Sequence, residues 1–252
     1  MKILLTNDDG IQADGIYALY KELRKIGQVV VVAPDTQKSA ASHSITLSRP
    51  IWYKKTKVKN RFIGYGVSGT PADCVKFALK ILLKKKPDLI VSGINLGPND
   101  ATSVFYSGTI AAAREGALCG VPSIAVSLNT FTNPNYLAAA KFSAKLSKKV
   151  LSEGIPKGTF LNVNVPSLPK SKIKGVHITH QGLKPFRTIF SKKRDKGKQD
   201  FYWMSCETPR LSKRTGSDTH AIAGDFISIT PLQNDLTNYE FMQDLEKWGF
   251  NG

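Results

Sequence analysis

Hydrophobic positions along this chain fall in short unbroken blocks that alternate with stretches of helical spacing. The blocks are Ile3-Leu4-Leu5, Gln28 to Ala33, Asp88 to Ser92, Ser123 to Ser127 and Thr159 to Val163. Unbroken apolar runs of this length mark strands buried on both faces. Between them, Ile16, Leu19, Leu23 and Ile26 share one face of a helix that starts near Gly15, with Asp14 expected as its N-cap. A second helix is expected from Gly69-Thr70-Pro71-Ala72-Asp73 to about Leu83, with Thr70 as N-cap and Pro71 in the first helical position. Two more run from Ser107-Gly108-Thr109 to about Leu118, stopped by Gly120, and from Tyr136 to Leu151. Strands alternating with helices predict an α/β protein built on a Rossmann-like, doubly wound, mostly parallel sheet.

Two regions break the alternation. Ile45 to Leu47, Ile51 to Val58 and Phe62 to Val67 carry the alternating pattern and turn residues of antiparallel strands, a β excursion after the second strand. Past Pro166, strands are expected at Ile173 to Thr179 and Phe226 to Thr230. Between them Lys184 to Arg214 is rich in Lys, Arg, Gly and aromatics without helical period, as in an extended arm or long hairpin. A short amphipathic helix, Tyr239 to Trp248, closes the chain. Residues 1–182 and 215–235 are thus expected to form one core, 183–214 a basic extended arm, and 236–252 a C-terminal helix.

Composition narrows the setting. Lys and Arg number 36 against 19 Asp and Glu, a formal charge of +17 that favours anionic partners. The three cysteines, Cys74, Cys119 and Cys206, are odd in number and lack metal-binding spacing, which argues against a disulfide framework and a zinc site. No apolar run reaches the roughly 20 residues of a membrane helix. The first run is cut short by Asn7 and two acids, unlike a signal peptide. A cytoplasmic protein without a membrane partner is expected.

The candidate chemistry sits where strands end. Asp8 and Asp9 follow the first strand, Ser39 and Ser42 the second, and Asn95 and Asn99 the third. In a parallel sheet these loops share one edge, where open α/β folds bind ligands. Two carboxylates with hydroxyl and amide oxygens form a hard donor set suited to Mg²⁺, Mn²⁺ or Ca²⁺. Ser107-Gly108-Thr109 at a helix start offers backbone N–H groups, hydroxyls and the helix dipole to a phosphate. Together they suggest metal-assisted hydrolysis of a phosphate ester, with one of the two aspartates, Asp8 favoured over Asp9, orienting or deprotonating the water. His43, in the Ser39 loop, is a candidate proton donor to the leaving group, and Asn99 a candidate substrate contact.

The chain resembles the SurE family (stationary-phase survival proteins), metal-dependent 5'/3'-nucleotidases. The resemblance rests on Thr6-Asn7-Asp8-Asp9-Gly10, Ala33-Pro34-Asp35, Ser39 with Ser42 and Ser44, Ser68-Gly69-Thr70-Pro71-Ala72-Asp73, Ser92-Gly93-Ile94-Asn95 and Tyr106-Ser107-Gly108-Thr109. Leu161 to Pro166 and Ile227 to Leu232 extend it over nearly the whole chain. It implies that Asp8, Asp9, Ser39 and Asn95 bind one divalent cation per subunit and that Asp8 and Asn95 are catalytic. It also implies release of phosphate from nucleoside monophosphates, action on short polyphosphate, and a homodimer or homotetramer through an exchanged arm or C-terminal segment. Ala40 stands where the family usually has Gly, and Asp100-Ala101 where it has Leu-Gly. Two other readings predict different sequences or behaviour. A haloacid-dehalogenase-type phosphatase would space its acids as Asp-x-Asp. A nucleic-acid-binding protein would work through the Lys184 to Arg214 arm and bind with steep salt dependence; it is the weaker partner reading.

Overall fold

The computed structural model describes residues 1–183, 187–195, 197, 199–207 and 215–250. Of the arm expected at Lys184 to Arg214, residues 184–186, 196, 198 and 208–214 lie outside the described residues, as do residues 251 and 252 of the C-terminal segment.

The strands are β1 (Lys2–Thr6), β2 (Gln28–Pro34), β3 (Tyr53–Val58), β4 (Phe62–Val67), β5 (Leu89–Leu96), β6 (Ser123–Asn129), β7 (Thr159–Pro166), β8 (Gly175–Ile178), β9 (Arg187–Arg194), β10 (Asp200–Glu207) and β11 (Phe226–Gln233). All but β9 and β10 join in one sheet of order β3-β4-β2-β1-β5-β6-β7-β11-β8. From β4 to β7 every pairing is parallel, while β3 on β4 and β11 on β7 are antiparallel. Around the sheet lie α1 (Asp14–Leu23), α2 (Pro71–Phe77), α3 (Gly108–Leu118), α4 (Tyr136–Glu153) and the short α5 (Asp218–Ala223), with α6 (Tyr239–Glu246) near the C-terminus.

Both faces of the sheet are covered, which is why its strands read as unbroken apolar runs. Ile3 and Leu5 of β1 point with Leu89, Val91, Ile124 and Val126 toward α1 and α4. Leu4, between them, joins Val32, Val67 and Ile90 under α2 and α3. The helices come very close. An added Cβ on Gly15 of α1 would sit 2.0 Å from the carbonyl oxygen of Ile94, so α1 rests directly on the β5 backbone.

Several expectations are corrected. Ala13, not Asp14, occupies the N-cap of α1; Asp14 is the first helical residue, where an acid still favours the dipole, and pairs with Lys59 at 2.8 Å. No strand forms at Ile45 to Leu47, because this segment's polar groups bond to the helix starts: Thr46 donates N–H and Oγ1 to Asp73. The helix from Thr70 reaches its expected end near Leu83, but its last stretch, Ala78–Leu82, is π-helical. β5 runs through Gly93-Ile94-Asn95-Leu96, expected as loop, by way of an irregularity between Ser92 and Asn95 in its register with β6. A 3₁₀ turn at Ala101–Phe105 and α5 were not anticipated, being too short to show a period.

The basic, aromatic region forms the β9–β10 antiparallel hairpin. It exposes Phe190, Tyr202, Trp203 and Met204, and no residue of α6 is buried.

Gly15→Ala should destabilise the protein by about 2 kcal/mol or more, because the obstructing atom is backbone and cannot rotate away. Denaturant unfolding of the variant checks this; an unchanged midpoint would contradict the close packing of α1 on β5.

Candidate active site

β1 has β2 on one side and β5 on the other, so the chain winds outward in both directions from this pair. That reversal opens a crevice at the carboxyl ends of the strands, the usual ligand position in such sheets. β1 delivers Asn7, Asp8 and Asp9 into it, and β5 delivers Asn95 from beside them.

Asp8 is 4 % exposed and is gripped from α3. The Thr109 N–H donates to Asp8 Oδ2 at 3.0 Å, and the Thr109 hydroxyl donates to Oδ1. The α3 start can approach this closely because position 108 is glycine: a Cβ there would lie 2.9 Å from Asp8 Cβ and 3.0 Å from Pro71 of α2. Burial pushes the Asp8 carboxyl up to about 6, against the pull of the Thr109 bonds, and the neighbouring charge of Asp9 adds to the rise. Asp9 is also raised by burial, and accepts the Leu96 N–H at 3.1 Å, tying the β1 loop to the end of β5.

The other expected residues take the following places. Asn95 donates its amide to the Gly97 carbonyl at 2.7 Å, leaving its side-chain oxygen as an acceptor. Ser39 is exposed, and its hydroxyl accepts from Gln37 at 2.8 Å. Its loop is moored to the site by the Lys38 N–H on the Asp8 carbonyl at 2.8 Å. Ser42 is turned away, donating N–H to Tyr106 O and Oγ to Phe105 O at 2.9 and 2.7 Å. Ser107 caps α3, its hydroxyl accepting the Ile110 N–H at 3.1 Å. Thr109 directs both donors at Asp8, so from the Ser107-Gly108-Thr109 trio the Ser107 hydroxyl and the Gly108 N–H are the groups left for an anion.

Asn99 and His43 stand apart. Asn99 is the hub of a buried amide cluster: its carbonyl accepts from Asn162 and Asn164 at 2.7 and 3.1 Å, its N–H reaches Asn164, and its amide reaches Ser127. His43 bonds Glu115 at 2.9 Å, two helical turns beyond the Asp8 end of α3, about 10 Å along the axis. Both departures from the family pattern adopt left-handed backbone, Ala40 at φ 54° and Ala101 at φ 44°, at a cost of about 1 kcal/mol each.

Thr109 takes a role different from the expected phosphate contact, holding Asp8, and two residues carry no local signal in the sequence. Glu115 lay inside an apolar helix with no motif around it. Tyr136, at the start of α4, has its hydroxyl pushed up to about 12 by burial and by the charges of Asp9 and Asp14.

The donor set fits a hard cation. Two half-buried to buried carboxylates stand side by side, and Asn7 Oδ1 is a buried acceptor without a hydrogen-bond partner. Among the described residues no three His, Cys, Asp or Glu side chains converge, so the set relies on neutral oxygens beside the two acids.

A family model described as "Survival protein SurE" matches residues 3–188. The chain belongs to the SurE family. Among SurE relatives, a protein of Chlorobium chlorochromatii named 5'-nucleotidase SurE is 47 % identical over 98 % of this chain and 90 % of its own length. Another of that name, from Heliobacterium modesticaldum, is 44 % identical over 98 % of this chain and 92 % of its own. The crystal structure of the SurE protein from Aquifex aeolicus superposes with a TM-score of 0.86 at 41 % identity, covering 98 % of this chain and 99 % of that one.

The raised Asp8 carboxyl has a measurable consequence without metal. Below its ordinary 3.8 both folded and unfolded states are protonated; between 3.8 and about 6 only the unfolded state ionises, so stability falls as pH rises, and the deficit then stays constant. In EDTA, Asp8→Asn should therefore gain stability relative to wild type between pH 4 and pH 7.5, on the order of 2–3 kcal/mol. Thermal unfolding at the two pH values checks it; a difference that is flat or shrinks with pH would contradict the burial argument.

Proposed function

We infer that this chain is a phosphoric monoester hydrolase that releases phosphate from nucleoside 5'-monophosphates, and from 3'-monophosphates, with one divalent cation per subunit. The observation carrying this reading is the placement of Asp8 and Asp9 at the β1–β5 crevice, directly against the start of α3. The shared name of full-length relatives at about 45 % identity supports the substrate class.

In the proposed mechanism Asp8, Asp9, Ser39 and Asn95 hold the cation, Mg²⁺ or Mn²⁺, with Ca²⁺ compatible with the same oxygens. When bound, it polarises the phosphoryl oxygens and acidifies a water. The Gly108 N–H and the Ser107 hydroxyl, at the positive end of the α3 dipole, orient the phosphate. Asp8, held in one rotamer by Thr109, directs the attacking water and accepts its proton as the ester P–O bond breaks, and the leaving nucleoside oxygen takes a proton from solvent. Asn95 completes the positioning of the phosphoryl group from the β5 side. The +17 charge draws anionic substrates, short polyphosphate included, toward the crevice.

Assembly belongs to the same reading. The β9–β10 hairpin and α6 expose aromatic and aliphatic side chains that monomers rarely leave bare, so burial against a second copy, as a homodimer or homotetramer, is proposed. A cytoplasmic location is part of the proposal and is supported by the three free thiols.

Phosphate release from a panel of nucleoside monophosphates tests the function. Activity should appear with Mg²⁺ or Mn²⁺, vanish in EDTA and return on adding metal. Asp8→Asn should lose at least two orders of magnitude in kcat/KM. Activity indifferent to EDTA and to this substitution would refute the reading.

A further inference from the structure

Ser39 sits on a segment, residues 35–50, that has no strand or helix of its own and passes through left-handed backbone at Ala40 and Ser42. Such a segment presents a ligand reproducibly only if something outside it fixes its path. Near its middle His43 reaches away from the crevice and bonds Glu115 Oε2 at 2.9 Å. Glu115 is 3 % exposed, in the packing between α2 and α3. Its other oxygen accepts Lys76 Nζ at 2.7 Å and the Cys119 thiol at 3.4 Å. Burial alone would raise this carboxyl, but the bonds from His43 and Lys76 outweigh it and bring it down to about 2.

A buried carboxylate between two helices needs a cation, and Lys76 supplies one from the neighbouring helix. Packing of α2 on α3 does not require the second partner, which comes from 72 residues away on the Ser39 loop. The other fasteners of the loop lie on either side of His43: before it the Lys38 N–H on the Asp8 carbonyl and Ser42 on Phe105 and Tyr106, after it the Ser44 carbonyl under the Thr70 hydroxyl at 2.8 Å and Thr46 on Asp73. The first holds the loop at the crevice and the rest grip the helix starts. Only the His43 bond among these reaches down the flank of α3.

We propose that Glu115 is a positioning residue for the cation site: through His43 it sets the path of the loop that presents Ser39. The proposal rests on the reading of Ser39 as a cation ligand. Residues that orient ligands without touching the metal typically change its affinity 10–100-fold when altered.

The test is Mn²⁺ affinity, read from the free-Mn²⁺ electron paramagnetic resonance signal, on wild type, Ser39→Ala, Glu115→Gln, His43→Gln and the double variant Ser39→Ala/Glu115→Gln. Glu115→Gln and His43→Gln should each weaken binding about tenfold. For Glu115→Gln, kcat at saturating Mn²⁺ should stay close to wild type, since the loss lies in presenting the ligand. In the Ser39→Ala background Glu115→Gln should cost nothing further, because its effect runs through Ser39. If Ser39→Ala weakens binding and both Glu115→Gln and His43→Gln do not, the positioning role is wrong. A full additional loss in the double variant would make Glu115 a general packing residue and overturn it too. If Ser39→Ala binds Mn²⁺ like wild type, the ligand reading itself fails and takes the proposal with it. Should Glu115→Gln not fold, His43→Gln, on the loop, carries the same decision.

Discussion

Two carboxylates on consecutive residues, Asp8 and Asp9, are held in a crevice that raises both of them toward the neutral form. Much of the molecule is arranged around that unfavourable placement. β1 and β5 lie side by side so that Asp9 accepts the Leu96 N–H and Asn95 stands beside the acids. Glycine at position 108 lets α3 advance until Thr109 grips Asp8 with both donors. The helix start supplies partial positive charge, but two donors do not neutralise two acids. A divalent cation would, and in the proposed mechanism the same cation would supply the chemistry of phosphate-ester hydrolysis. Stability given up at the site would then be linked to function, since ligand binding would return what burial of the acids withdraws.

The grip on Asp8 changes how the α3 start is understood. A free helix N-terminus is a general anion site, and Ser-Gly-Thr reads as one. Here Thr109 turns inward to a carboxylate, and only the Ser107 hydroxyl and Gly108 N–H of the trio remain toward the substrate side. In the proposed mechanism one helix start would thus serve two anions, a fixed one inside and a transient one outside. The buried Asn99, Asn162 and Asn164 cluster holds the loop after β5 in the same rigid manner, by satisfying its backbone through side-chain amides.

Legibility in the sequence followed how local each cause is. The buried parallel strands were plain because covering both faces demands unbroken apolar runs. Thr70 is plain as a cap, and a helix start is plain at Ser107, because capping is decided within four residues. Asp14 was misread by one position, since an acid is favourable both at the cap and in the first turn. Ile45 to Leu47 has the alternation of a strand, but its bonding partner, Asp73, lies on α2, and nothing local announces it. Glu115 was invisible for the same reason: its role comes from Lys76 and His43, brought to it by the packing of α2 and by the Ser39 loop. The family motifs were legible as a set, whereas the division of labour within them was not. Thr109 and Asn99 carry motif positions, yet their side chains bond within the protein.

The proposed chemistry depends most directly on where the cation sits. Anomalous diffraction from crystals grown with Mn²⁺ would locate it. The prediction is a single strong peak per chain at coordination distance from carboxylate oxygens of both Asp8 and Asp9, with Ser39 and Asn95 oxygens completing the protein ligands. A protein that takes up no Mn²⁺ at this crevice, or binds it at carboxylates elsewhere, would contradict the account.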